Sequence, residues 1–182
     1  MMTRPVLLIP GIYNSGPRHW QSLWQNRYPG VARVAQADWD HPDCDTWVRT
    51  LNEAIAALPQ PPILVAHSLG CLVAVHWAAR YHRPVHALLL VALPDPEGPS
   101  FPVEARGFAP LPRTLPTPPT PSRRVLMSST TDPYSNPGFS AQCASAWNAE
   151  HRVLGDRGHL NADSGLDDWP QGWEQVARWR AE

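Results

Sequence analysis

At 182 residues and 20.2 kDa the chain has the length of one domain and enough material for a sizeable core. Its 43% hydrophobic and 17% charged composition excludes disorder throughout, and a net charge of −1 gives no drive toward nucleic acid or an anionic membrane. All 15 basic residues are arginine, which excludes a lysine Schiff base, a pyridoxal phosphate anchor and the lysine of a phosphate-binding P-loop.

Val6–Ile9 is a four-residue apolar run ahead of Pro10-Gly11, too short for a secretory leader or a membrane span, and reads as a buried first strand. Trp20, Leu23, Trp24 and Arg27 recur at helical spacing within 18–27. Residues 31–35 suggest a short second strand. Asp45 is a candidate cap for a helix over 46–58, with Trp47, Leu51, Ala54, Ile55 and Leu58 on one side. Residues 63–66 form a central strand, followed by a helix over 69–81 that is apolar nearly all round and therefore deeply buried. Residues 85–91 read as a strand covered on both faces.

Residues 94–121 hold ten of the chain's 22 prolines, with no helical or strand period. They read as a long stiff loop inserted between strands of a single domain, 1–182. The sheet resumes at 124–128. Asn136 or Ser140 opens a helix to about 149, 152–154 is a last short strand, and a loop over 155–168 leads to a terminal helix over 169–181. Trp169, Trp173 and Val176 mark the inner face of that helix. Apolar runs alternating with amphipathic segments predict an α/β fold: a three-layer sandwich around a mainly parallel central sheet.

The strongest chemical signal is Ala66-His67-Ser68-Leu69-Gly70, between a buried strand and a buried helix. It matches the nucleophile-elbow pattern G-x-S-x-G with alanine at the first small position. The turn is so tight that only small side chains fit two residues either side of the serine. A helix N-terminus behind Ser68 aims the Leu69 amide at a developing oxyanion.

A serine nucleophile needs a base, and the base needs an orienting carboxylate. Of eight histidines only His159 lies on a loop after the last strand, beside a flexible Gly158. The acid is expected after the strand that precedes it. Asp132 stands there, ahead of Asp95, which opens the proline-rich loop, and of Asp156 and Asp163, which share the loop of His159. The loop after the first strand offers the Ile12 or Tyr13 amide as second oxyanion donor. Tyr13 and Tyr134 border the mouth in this reading, and Phe101, Phe108, Leu111 and Leu115 either line an acyl pocket or anchor the proline-rich loop.

Asp38, Asp40 and His41 lack a further ligand at metal spacing and read as helix-entry caps, so no metal is expected. Cys44, Cys71 and Cys143 form no Cys-x-x-Cys pair. With no leader segment they imply reduced thiols in a cytoplasm. Cys71, inside a buried helix, is a poor thiol nucleophile.

The chain resembles small serine hydrolases of the retinoblastoma-binding-protein-9 type, in the α/β-hydrolase superfamily. The resemblance rests on Pro10-Gly11, Ser15-Gly16 and His19-Trp20; on His67-Ser68-Leu69-Gly70; on Ser128-Ser129 with Asp132-Pro133-Tyr134; and on Gly158-His159-Leu160-Asn161, Ser164-Gly165 and Trp169-Pro170. It implies a minimal hydrolase fold without a large cap domain, with Ser68 as nucleophile, Asp132 as acid and His159 as base. The expected activity is carboxylesterase-like: a serine hydrolase acting on a small-molecule acyl substrate, with no cofactor, nucleic acid or membrane insertion. The alternative is a binding or scaffold protein on the same fold with little or no turnover. The Leu-x-Cys-x-Glu docking motif that would favour that alternative is absent.

Overall fold

The computed structural model describes residues 3–117 and 123–182. Six strands, β1 (Val6–Ile9), β2 (Val31–Arg33), β3 (Ile63–His67), β4 (Ala87–Val91), β5 (Arg123–Ser128) and β6 (Glu150–Val153), form one wholly parallel sheet in the order β2-β1-β3-β4-β5-β6. Five α-helices flank it: α1 (Trp20–Arg27), α2 (Cys44–Ala56), α3 (Leu69–Arg80), α4 (Pro137–Ala146) and α5 (Pro170–Arg180).

Strand side chains alternate between two cores, as a period of two requires. Leu7, Ile9, Leu64, Leu88, Leu90 and Leu126 pack against α2, α3 and α4 on one face. Val6, Leu8, Ile63, Val65, Leu89 and Val125 pack against α1 and α5 on the other. The result is the three-layer α/β-hydrolase architecture, small and without a large cap domain.

Chain order reverses at β1, whose neighbours are β2 and β3. Connections leave such a point toward opposite faces, so a crevice opens at the carboxyl ends of the strands. The loops after β1 and β3 both open into it.

Element ends differ from expectation where caps decide them. Asp43, not Asp45, caps α2, accepting from the Thr46 amide at 2.8 Å, while Asp45 sits in the first turn and pairs with Arg80 at 2.6 Å. His19 caps α1 through Nδ1, so that helix starts at Trp20. Asn136 rather than Ser140 caps α4, with Pro137 in its first turn. Strand β2 is shorter than expected, and β6 begins earlier.

The proline-rich stretch, of which 118–121 lie outside the described residues, is not wholly irregular. Val103–Phe108, its proline-free window, winds into a 3-10 helix. On α5, Trp173 is only half-buried and stacks flat on Tyr28 with ring centroids 3.6 Å apart, while Val176 and Trp179 face the core.

Candidate active site

Ser68 follows β3 and stands at the N-cap position of α3 with φ 55° and ψ −129°, a strained conformation that a non-glycine residue keeps only when its surroundings enforce it. The enforcement is visible. Its amide donates to the Val91 carbonyl at 3.0 Å. A Cβ on Gly70 would stand 2.1 Å from the Ile9 carbonyl oxygen, so α3 starts against β1 backbone that only glycine admits. Gly11 is also close, though less so: a Cβ there would be 2.9 Å from the Ser68 Cβ. Ala66, fully buried between Ile9 and Leu90 in register, shows that alanine fits the first small position.

The Ser68 hydroxyl lies 2.8 Å from His159 Nε2. His159 Nδ1 faces both carboxylate oxygens of Asp132, at 2.9 and 3.0 Å. The Asp132 side chain is 2% exposed and that of His159 10%, which shields their interaction from water. Asp132 also accepts from the Tyr134 amide at 3.0 Å, which fixes its rotamer. Asp95, Asp156 and Asp163 do not reach the imidazole. Thus the three side chains expected from three separate loops are brought together in hydrogen-bonding order.

Leu69 and Ile12 line the space over Ser68 and are the candidate oxyanion donors. Leu69 is the first residue of α3, and its N–H has no intrahelical acceptor. Of the two alternatives in the first loop, Tyr13 is committed, since its amide donates to the Trp39 carbonyl at 3.0 Å. The Ile12 amide has no backbone acceptor among the described residues, and Gly11 sets it beside Ser68.

Positioning residues that sequence reasoning missed surround His159. His67 Nε2 donates to the His159 backbone carbonyl at 2.9 Å, and Trp20 Nε1 donates to the Leu160 carbonyl at 2.8 Å. The loops after β5 and β6 are pinned together as well. Ser129 Oγ donates to the Gly155 carbonyl and accepts from the Arg157 amide, and Thr131 Oγ1 accepts from Gly158. The signal was present in Ser128-Ser129 and His19-Trp20, but polar side chains meeting backbone across loops have no local period to reveal them.

Burial drives the His67 pKa well below its ordinary value. It lowers that of His19 to about 3, with the Arg33 charge contributing. Both therefore stay neutral beside His159. Cys71 is buried in α3 against the Val91 carbonyl, and desolvation pushes its thiol pKa up, the opposite of a nucleophile's need.

A cavity of about 330 Å3 opens over Ser68, walled by the first loop, the proline-rich stretch and the loop of His159. Phe101 and Tyr134 line it. Phe108 does not: it is fully buried beside Trp47 and His76 and anchors its segment to the core. Leu111 and Leu115 also lie away from it. Asp38 accepts from the Asp40 and His41 amides, a local turn, and no metal-binding cluster occurs among the described residues. No helix among the described residues is long and apolar enough to cross a membrane.

A parallel α/β sheet whose nucleophile turn, imidazole and carboxylate meet at the switch point defines a hydrolase-type site. The chain belongs to the serine hydrolase family, whose model matches residues 6–178. It is similar to a YdeN-like hydrolase from Pectobacterium atrosepticum, at 28% identity over 98% of this chain and 91% of that one, with a TM-score of 0.82. The ydeN gene product of Bacillus subtilis (19% identity, 99% and 100% coverage, TM-score 0.74) shares the fold. So does a thermophilic esterase from Thermogutta terrifontis (18%, 96% and 88%, TM-score 0.66). No curated protein matches the chain.

Proposed function

We propose that the protein hydrolyses esters through Ser68, His159 and Asp132. The observation that carries this reading is the unbroken chain from Ser68 Oγ through His159 to the Asp132 carboxylate at 2.8 and 2.9 Å. His159 Nε2 takes the hydroxyl proton as Ser68 Oγ bonds to the ester carbonyl carbon. Asp132 holds the Nδ1 proton in place and balances the imidazolium. The carbonyl oxygen, now negative, sits between the Ile12 and Leu69 amides, each contributing roughly 3–4 kcal/mol to the transition state. The C–O bond then breaks, His159 gives its proton to the departing alcohol, and water returns along the same path to release the acid and free Ser68.

The motifs shared with the retinoblastoma-binding-protein-9 type support placing the chain near those hydrolases, and the neutral His67 and His19 support a single proton shuttle. A fluorophosphonate probe tests the assignment. The wild type should label once and cleave p-nitrophenyl acetate, and Ser68→Ala should abolish both. Labelling that persists in Ser68→Ala rejects Ser68 as nucleophile. A correctly folded wild type that neither labels nor cleaves favours a binding protein on a hydrolase fold.

A further inference from the structure

The cavity over Ser68 is chemically two-sided, and its sides can be assigned to the two halves of an ester; this rests on the triad reading above. His159 must protonate the departing oxygen, so that oxygen lies within reach of Nε2 and the alcohol projects along the His159 side. The carbonyl oxygen takes the Ile12 and Leu69 amides. The acyl chain is left the remaining wall, Pro94, Phe101, Pro102 and Ala105, which is apolar.

The His159 side is a wall of hydrogen-bond donors. Asn161 spends its carbonyl oxygen on the Asp163 amide (3.1 Å) and the Ser164 hydroxyl (3.3 Å), which leaves its NH2 for the cavity. Asn14 likewise accepts from the Ser15 amide (2.7 Å) and from Arg33 (2.8 Å), leaving its NH2. His19 also borders the cavity, but it accepts from the Gln21 amide at Nδ1 and its Nε2 proton is buried away from solvent, so it adds no donor there. The Tyr134 ring lies 4.6 Å from that of His159 and adds a hydroxyl.

Behind this wall stands Arg33, held by Asn14, the Ser15 carbonyl and the Ser22 hydroxyl, all neutral. No carboxylate pairs with it among the described residues, and none of those lining the cavity is acidic. Its guanidinium stands 2.8 Å from the Asn14 side-chain carbonyl oxygen, so its charge lies directly behind that part of the wall. An alcohol lacking acceptors would desolvate these donors without satisfying them, and a cationic one would also meet the field of Arg33.

We propose that the leaving group is an alcohol bearing acceptor oxygens, a carboxylate above all, released from a short apolar acyl group. Three butyrate esters test this: those of glycolate, n-propanol and choline. The glycolate ester should show kcat/KM at least about tenfold above the choline ester, with the propyl ester between, mainly through KM. Asn161→Asp keeps the oxygen that accepts from Asp163 and Ser164 but replaces the NH2 with an anionic oxygen. It should shrink the glycolate-to-choline ratio by about tenfold or more. Asn14→Asp, which supplies Arg33 with a carboxylate, should move the ratio the same way. A propyl or choline ester cleaved as well as the glycolate ester overturns the proposal, as does a ratio unmoved by both substitutions. Failure of the triad reading is separate: hydrolysis of all three esters would then persist in Ser68→Ala.

Discussion

Two glycines flank Ser68 and differ in what they protect. Gly70 faces backbone: an added Cβ would fall 2.1 Å from the Ile9 carbonyl oxygen and 2.7 Å from that of Pro10. Neither atom can move without shifting β1, whose residues pair with both β2 and β3. Gly70→Ala is therefore expected to cost at least about 4 kcal/mol, read as a collapsed urea midpoint or loss of soluble protein. Gly11 faces the nucleophile itself, with the Ser68 Cβ at 2.9 Å and the Leu69 amide nitrogen at 3.3 Å. Here the loop can yield by a few tenths of an ångström, so Gly11→Ala should fold. It should nevertheless cleave p-nitrophenyl acetate about 10- to 100-fold more slowly through kcat, because hydroxyl and oxyanion donors are displaced together. An unaltered kcat in a folded Gly11→Ala would separate that loop from the chemistry. Both glycines flank the serine loop, but only Gly70 was demanded by the five-residue motif. Gly11 was expected to permit a close backbone approach in the first loop, but its partner is 57 residues away in sequence and has no local signal.

At the scale of elements, the proline-rich stretch covers the site and is fastened by side chains. Prolines lack amide donors, so this segment makes few backbone bonds to the rest of the molecule, among them Asp95 N–H to the Tyr134 carbonyl at 2.9 Å. Its carbonyls are met from outside instead. His76 Nε2 donates to Phe108 (2.8 Å), Trp147 Nε1 to Pro112 (2.9 Å) and an Arg124 Nη to Pro116 (2.7 Å). The 3-10 helix between Pro102 and Ala109 puts Phe108 inward toward Trp47 and leaves Phe101 and Ala105 on the cavity. His76→Leu leaves the Phe108 carbonyl without its donor, at a cost of about 1–3 kcal/mol. The urea midpoint should fall accordingly, and KM for p-nitrophenyl butyrate should rise, because the apolar wall is no longer pinned to α3. Fluorophosphonate labelling of Ser68 should survive. A lowered midpoint with an unchanged KM would show that the fastening serves stability alone. Composition exposed this stretch as a long stiff loop, but Phe101 and Phe108 look alike in sequence. The structure separates them: Phe101, ahead of the 3-10 helix, lines the cavity, and Phe108, at the end of that helix, faces the core.

At the scale of the whole molecule, the buried central strands and the turn at Ser68 were legible because each has a local signature, whereas the strand order was not. Leu88-Leu89-Leu90-Val91 announces a strand buried on both faces, and His67-Ser68-Leu69-Gly70 announces a turn between buried elements. The histidines around the site had none. His19 and His67 looked like surplus, and the structure places them in the α1–β3 interior, with ring centroids 4.7 Å apart and His67 5.1 Å from His159. Stability should carry their mark. The folded-state pKa of His19 lies near 3, below the ordinary 6.5, so the unfolded chain takes up a proton first as pH falls. The stabilising contribution of neutral His19 is thus complete above about pH 6.5 and is lost progressively from there toward pH 3. The loss approaches about 1.4 kcal/mol per pH unit. His67 and His76, lowered by burial as well, act in the same direction. His19→Asn isolates one of them, because asparagine can still accept the Gln21 amide at the cap of α1 but does not titrate. Urea unfolding of both proteins at pH 7.5, 5.5 and 4.5 should show the variant weaker at pH 7.5. By pH 4.5 the gap should have narrowed by up to about 3 kcal/mol. Curves that stay parallel across that range would mean that His19 is not held neutral in the folded protein, and would take from Nδ1 its role as acceptor of the Gln21 amide.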